Sequence, residues 1–294
     1  MSESYSARFT ALGTTWNIDL RDAENAAIAD KLFTDIRARL EKFENDYSRF
    51  RSGSLVSKIA KKAGTYRLSD DAEPMLDLYR KLYDATGGKV TPLIGKVLVD
   101  AGYDSSYSLQ PASKINPAEK WDDVMKYDPP DLIVNRPVQL DFGAAGKGYA
   151  VDIVAEMIEK CGLKSYSVNA GGDIAYQDAD HKPFVIGLED PDDIKKIVGT
   201  VELKEGAIAG SAGNRRTWDR FHHIIDPDKA ESPKHIKALW VTADSVMLAD
   251  GLATALFFVE PQKLADGFKF ECAILYADRS AMVSSSFPGK LFSA

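Results

Sequence analysis

Between residues 132 and 276 the chain breaks into short apolar runs of strand length, and only two helix-length segments interrupt them. The runs are residues 132–134, 138–140, 165–168, 184–188, 199–203, 239–242 and 272–276; the helical segments are about 147–160 and 245–259. Strands with only occasional helices argue against a regular βαβ repeat. The predicted class is α+β, with an antiparallel sheet core, flanking helices and a cleft between two halves.

The first half adds helices to that sheet. Residues 8–19 alternate apolar and polar around Gly13, as in a strand pair or a bulged strand. Ile28, Leu32, Ile36, Leu40 and Phe43 lie at helical spacing and predict a helix over 23–45. Ser52 or Ser54 can cap a short helix ending near Lys62. Ser69, followed by Asp70, Asp71 and Glu73, opens another that Gly87-Gly88 closes. Residues 103–127, rich in Pro, Ser, Lys and Asp, have little periodicity and read as a surface excursion. No repeat divides the chain, so 1–294 is expected to form one domain.

Charge narrows the function classes. With 37 basic and 44 acidic side chains the net charge is −7, which argues against general nucleic-acid or anionic-membrane binding. Cys161 and Cys272 are too few for a disulfide framework or a structural zinc site. No segment reaches the apolar length of a membrane span. Residues 1–8 have neither a basic start nor an apolar run nor a lipid-anchor cysteine, so a cytoplasmic protein without a membrane anchor is expected.

Four segments could carry chemistry. Residues 140–152, Leu-Asp-Phe-Gly-Ala-Ala-Gly-Lys-Gly-Tyr-Ala-Val-Asp, end a strand, turn through small residues and begin a helix. Small residues let a ligand approach the backbone, and a helix N-terminus favours an anion. Gly148 stands where a phosphate loop would place its metal-binding hydroxyl, so this is not a P-loop; a plain strand-to-helix turn fits the residues as well. Residues 168–174 place Gly171-Gly172 between short strands, as in a hairpin turn in which Asp173 would bond its own backbone. In Phe221-His222-His223-Ile224-Ile225-Asp226-Pro227, adjacent histidines of an extended segment point to opposite faces; one can be structural and the other a general base. The segment 245–259 is apolar nearly all round yet carries Asp250, with Thr254 on the same face. A buried carboxylate needs a partner: an Arg, a backbone cap, or a hard cation held also by Thr254.

Taken in order, these four segments resemble the FAD:protein FMN transferase (ApbE) family. The likeness extends to Ala11-Leu12-Gly13-Thr14-Thr15-Trp16, to Asn45-Asp46-Tyr47-Ser48-Arg49-Phe50 with Ser54, to Thr91-Pro92-Leu93-Ile94-Gly95 with Gly102-Tyr103-Asp104, and to Ala209-Gly210-Ser211-Ala212-Gly213-Asn214. It spans about residues 9–259. Three departures stand out. Lys89 and Val90 precede Thr91 where the family often has an acidic residue, Ala253 replaces a second acidic residue before Thr254, and Leu12 replaces a methionine.

The resemblance implies an ApbE-like fold and a reaction: FMN passes from FAD to a Thr or Ser hydroxyl of an acceptor protein, and AMP leaves. FAD is the substrate, Mg2+ the cofactor, and the partner a protein carrying an FMN-binding domain with a flavinylated Thr. It further implies Asp250, Thr254 and the Ala144 carbonyl as metal ligands. FAD contacts would come from Leu12, Tyr47, Gly88, Lys89, Asp141, Lys147 and Ile225, and His223 would be the base alongside Asp250. His222 would be a neighbour without that role.

Overall fold

The computed structural model describes residues 4–292. Its main sheet has eight strands: β1 (Tyr5–Ala11), β2 (Thr14–Leu20), β3 (Tyr166–Ala170), β4 (Asp173–Gln177), β5 (Gly206–Ala212), β6 (Ile236–Ala243), β7 (Phe270–Tyr276) and β8 (Ala281–Val283). Their order in space is their order in the chain, and every neighbouring pair is antiparallel. The sheet is open, as an α+β architecture allows. Insertions between neighbours supply nearly everything else, and the strand Gly289–Leu291 follows β8.

Four helices matter for the site: α1 (Ala26–Tyr47), α2 (Ala72–Thr86), α3 (Gly146–Lys160) and α4 (Val246–Ala255). They cover one face of the sheet, where Ala175, Ala207, Ala209, Leu239, Val241, Cys272 and Ile274 join the helix core. The alternate residues Ile174, Tyr176, Ile208, Ala238, Trp240, Ala273 and Leu275 form a second core on the other face. It is closed by a three-stranded sheet of Phe184–Asp190, Asp193–Leu203 and Gly289–Leu291. Burial on both faces explains why β6 and β7 read as continuous apolar runs rather than alternating ones.

Helix boundaries follow local chemistry. Asn25 caps α1 by accepting from the Ile28 amide, and Ser54 caps Leu55–Ile59 through the Ser57 amide. Gly87, at φ +67°, closes α2 in the left-handed conformation. The buried stripe of α1 runs through Leu32, Phe33, Ile36, Leu40 and Phe43; Ile28 falls outside it and is 37% exposed. No helix among the described residues is long and apolar enough to cross a membrane.

The structure departs from the sequence reading in three places. Val138 and Leu140 are buried, yet residues 138–140 join no sheet; Gln139 packs on Gly95, and the Asp141 amide bonds the Pro92 carbonyl at 2.8 Å. Strand β5, Gly-Ala-Ile-Ala-Gly-Ser-Ala, consists mostly of small residues with little β signal. Finally, the exposed, irregular stretch is confined to about 104–120, because Trp121, Val124 and Met125 are buried and Met125–Asp128 pairs with Asp131–Val134.

Candidate active site

The site begins where α3 and α4 cross. A Cβ on Gly148 would lie 2.4 Å from the Val246 carbonyl oxygen and 2.8 Å from Asp250 Cβ, so only glycine permits this approach. Asp152, one turn further along α3, accepts from the Val246 and Met247 amides, both at 2.8 Å, and Ser245 accepts from the Leu248 amide. Two side chains thus satisfy the first amides of α4. Burial lifts the Asp152 carboxyl to about 6, against the pull of its two amide donors.

The close crossing places charge deep in the molecule. Asp250, 4% exposed, accepts from the Gly148 amide at 3.0 Å and lies 3.6 Å from Lys147 Nζ. The same ammonium contacts the carboxylate of Asp173, which is fully buried at the start of β4. One cation therefore stands between two buried carboxylates. Burial pushes Asp250 above its usual range while Lys147 opposes that rise; burial likewise depresses Lys147, and Asp250 opposes that fall. The Gly171-Gly172 turn, with both residues at positive φ, is the expected hairpin turn. Asp173, however, pairs with Lys147 across the fold rather than with its own turn.

The turn ahead of α3 is held from below. Asp141 accepts from Arg49 Nε at 2.5 Å and from the Gly143 amide at 2.8 Å. Buried Arg49 also donates to the Tyr103 carbonyl at 2.8 Å. The Tyr79 hydroxyl accepts from the Ala144 amide at 3.1 Å, and Phe142 packs edge-on against the Tyr47 and Tyr79 rings. These contacts fix the two peptides that lead into Ala144.

A two-stranded ribbon, Thr217–Trp218 with Phe221–His222, forms another wall. His222 uses both ring nitrogens: Nδ1 accepts from the Ile224 amide, and Nε2 donates to the Pro233 carbonyl at 2.8 Å. His223 turns the other way; it is half-buried, and its Nδ1 has no partner among the described residues. Burial, then the cations Arg216 and Lys147 with His222, depress the His223 imidazole to about 3, so the ring is neutral at physiological pH.

Asp141, Ala144, Lys147, Asp250 and Thr254 thus gather around the α3–α4 crossing, with Thr254 half-buried one turn beyond Asp250. Leu12, at φ +50° in the β1–β2 turn, donates its amide to Glu44 at 3.1 Å; the neighbouring Thr14 packs on Gly171. Tyr47 is buried, its hydroxyl bonded to Ser69 at 2.8 Å and its ring beneath Phe142. Lys89 is held by Asp226 at 2.7 and 2.9 Å and by Asp228 at 2.9 Å, whereas Gly88 completes the α2 cap. Ile225 packs with Val97, Leu98 and Trp218. Sequence reasoning did not single out Arg49, Tyr79 or Arg216, nor the true partner of Asp173. Of these only Arg49 had a signal, inside the Tyr-Ser-Arg-Phe segment.

Donor chemistry bears on a metal. Among the described residues no three His, Cys, Asp or Glu side chains cluster to hold an ion. The ligands that the resemblance implies, Asp250, Thr254 and the Ala144 carbonyl, offer oxygen donors only. That fits a hard cation held by one carboxylate and completed by water and substrate phosphates, and it does not fit a self-sufficient zinc site.

Known proteins share the fold that carries these residues. The chain is 26% identical over 266 residues to the FAD:protein FMN transferase of Rhodobacter capsulatus, covering 85% of this chain and 50% of that protein. To the FAD:protein FMN transferase of Vibrio cholerae it is 25% identical over 274 residues, covering 86% and 80%. The fold superposes on the flavin transferase ApbE of Vibrio cholerae with a TM-score of 0.79 at 23% identity, covering 98% and 99% of the two chains. It superposes on the ApbE protein of Thermotoga maritima with a TM-score of 0.82 at 21% identity, covering 97% and 98%. The profile of the ApbE family matches residues 12–273, most of the chain and every element of the site, and the protein therefore belongs to the ApbE family.

Proposed function

We propose that this protein is an FAD:protein FMN transferase that moves FMN from FAD to a Thr or Ser hydroxyl of an acceptor protein and releases AMP. The observation that carries the reading is Lys147 lodged between Asp173 and Asp250 at the start of α3, with the unpartnered Nδ1 of His223 within the reach of its charge. A cation, an oxygen-donor set and a neutral base are what phosphoryl-type transfer from a pyrophosphate requires.

In this reading Asp250, Thr254 and the Ala144 carbonyl hold Mg2+, which when bound neutralises phosphate charge. The Lys147 ammonium binds the pyrophosphate and stabilises the charge that grows as its P–O bond breaks. His223 takes the proton of the acceptor hydroxyl while that oxygen bonds the FMN phosphorus, and AMP departs with the electrons of the broken bond. Asp141 is fixed by Arg49 for the nucleotide, and Leu12 and Tyr47 border the flavin side. Lys89, Gly88 and Ile225 shape the neighbouring wall. The acceptor carries an FMN-binding domain, and its docking falls to surface loops.

The test is to incubate the protein with FAD and Mg2+, with and without such an acceptor domain, and to follow AMP and acceptor mass. AMP formed only with acceptor, together with an FMN-sized mass gain, is expected. AMP without acceptor would make the protein an FAD pyrophosphatase, and intact bound FAD would make it a flavin carrier.

A further inference from the structure

The ribbon wall carries a cation that neither the sequence motifs nor the reading above employs. Thr217 pairs with His222 and Trp218 with Phe221. The next pair outward is Arg216 opposite His223, joined by the His223 amide donating to the Arg216 carbonyl at 3.2 Å. Directly opposed residues of an antiparallel pair project to the same face, so Arg216 and His223 share one. Trp218 and Phe221, two residues inward, lie on that face too and are buried beside Tyr103.

Arg216 is exposed, and it makes no ion pair with a carboxylate among the described residues. Its neighbour Arg215 is paired, with Glu189 at 2.9 Å. Instead, Arg216 Nη1 donates to the Tyr103 hydroxyl at 3.0 Å. Tyr103 in turn gives its carbonyl to Arg49, which grips Asp141. The guanidinium is therefore tethered by a neutral partner to the framework that holds the nucleotide turn. Its charge is felt by both His223 and Lys147. Arg49 neutralises Asp141, and Lys147 is the one cation among the described residues that ion-pairs with Asp173 and Asp250.

We infer that Arg216 is a phosphate-contacting residue, which binds the pyrophosphate of FAD from the ribbon side while Lys147 binds it from the helix side. The inference rests on the flavin-transfer reading. Charge-assisted guanidinium–phosphate bonds contribute about 1.5–3 kcal/mol each, or roughly ten- to a hundredfold in affinity. Tyr103 is then a positioning residue, since it acts only through Arg216.

Calorimetric titration of FAD and of riboflavin, in Mg2+, against wild type, R216Q, R216K and Y103F tests this. R216Q is expected to weaken FAD by at least about tenfold, to leave riboflavin unchanged and to flatten the salt dependence of FAD binding. R216K should recover part of the loss, and Y103F should lose less than R216Q. Equal weakening of FAD and riboflavin by R216Q would make Arg216 a structural residue and overturn the inference. Wild-type affinity of R216Q for FAD would overturn it too. If wild type itself fails to bind FAD, the flavin-transfer reading falls first and this one with it.

Discussion

The two walls of the cleft are built by opposite means. The helix wall is a seam of interlocked backbone: Gly148 against the Val246 carbonyl, Gly251 against Leu82, and Asp152 and Ser245 binding the first amides of α4. The ribbon wall has two-residue strands, and its outward side chains, His223 and Arg216, are half-buried or exposed. Buried charges at the first wall have their geometry set by packing. At the second, geometry is set by a few hydrogen bonds, such as those of His222 to Ile224, Pro233 and Ser232. The wall that holds the buried charges is closely packed, and the wall that the proposed reaction would turn toward the acceptor is thin.

Breaking the helix wall should have the largest effect. Gly148→Ala drives a methyl group into backbone and into Asp250, so it should cost about 1–3 kcal/mol of stability and abolish FAD-dependent AMP release. A thermal melt and an AMP assay read both, and a stable, active variant would refute the account of the seam. Next, Asp250→Asn should keep the fold yet lower metal-dependent turnover by at least about a hundredfold; loss of folding instead would undermine its assignment as a ligand.

The two histidines sharpen the comparison. His223→Ala should slow transfer by about 10²–10⁴-fold with FAD affinity little changed. His222→Ala should instead cost about 1–3 kcal/mol of stability, because it strands buried partners, while each folded molecule stays active. Steady-state kinetics beside denaturant melts would separate them, and interchangeable phenotypes would sink the distinction.

The walls also respond oppositely to pH. Folded His223 titrates near 3, below its unfolded value of about 6.5. The unfolded chain therefore binds that proton first, and stability falls as pH drops from about 6.5 toward 3. Folded Asp152 titrates near 6, above its unfolded value of about 3.9. The native state binds that proton first, and stability rises as pH drops from about 6 to 4. Denaturant unfolding at stepped pH should show H223Q and D152N changing the slope in opposite directions.

Much of the fold was legible because its elements announce themselves locally. Apolar spacing marked α1, Gly87-Gly88 marked the end of α2, and Gly13 and Gly171-Gly172 marked hairpins. What escaped was tertiary. Strand β5 is composed largely of small residues and is a strand because of what pairs beside it. Residues 138–140 look like a strand but join no sheet, with Val138 and Leu140 buried. In the site, Asp250 stood out as a charge in an apolar helix, whereas Lys147 was marked only by the family resemblance. Asp173 looked like a turn residue, since nothing local reveals an ammonium from another element, and Tyr79 sits anonymously on a buried helix face.

The agreement between chain order and strand order has a kinetic side. From β3 onward each strand meets its predecessor after a modest insertion, but β2 reaches β3 only after the whole span from Leu20 to Tyr166. Closing that loop costs more chain entropy than any other step of the sheet, by about 0.6 kcal/mol per doubling of length. Pulse-labelled amide exchange during refolding is expected to find β1 and β2 protected after β5 to β7. The N-terminal hairpin is then the last seam to zip, and Leu12 and Thr14 at its tip are the last residues to arrive at the cleft.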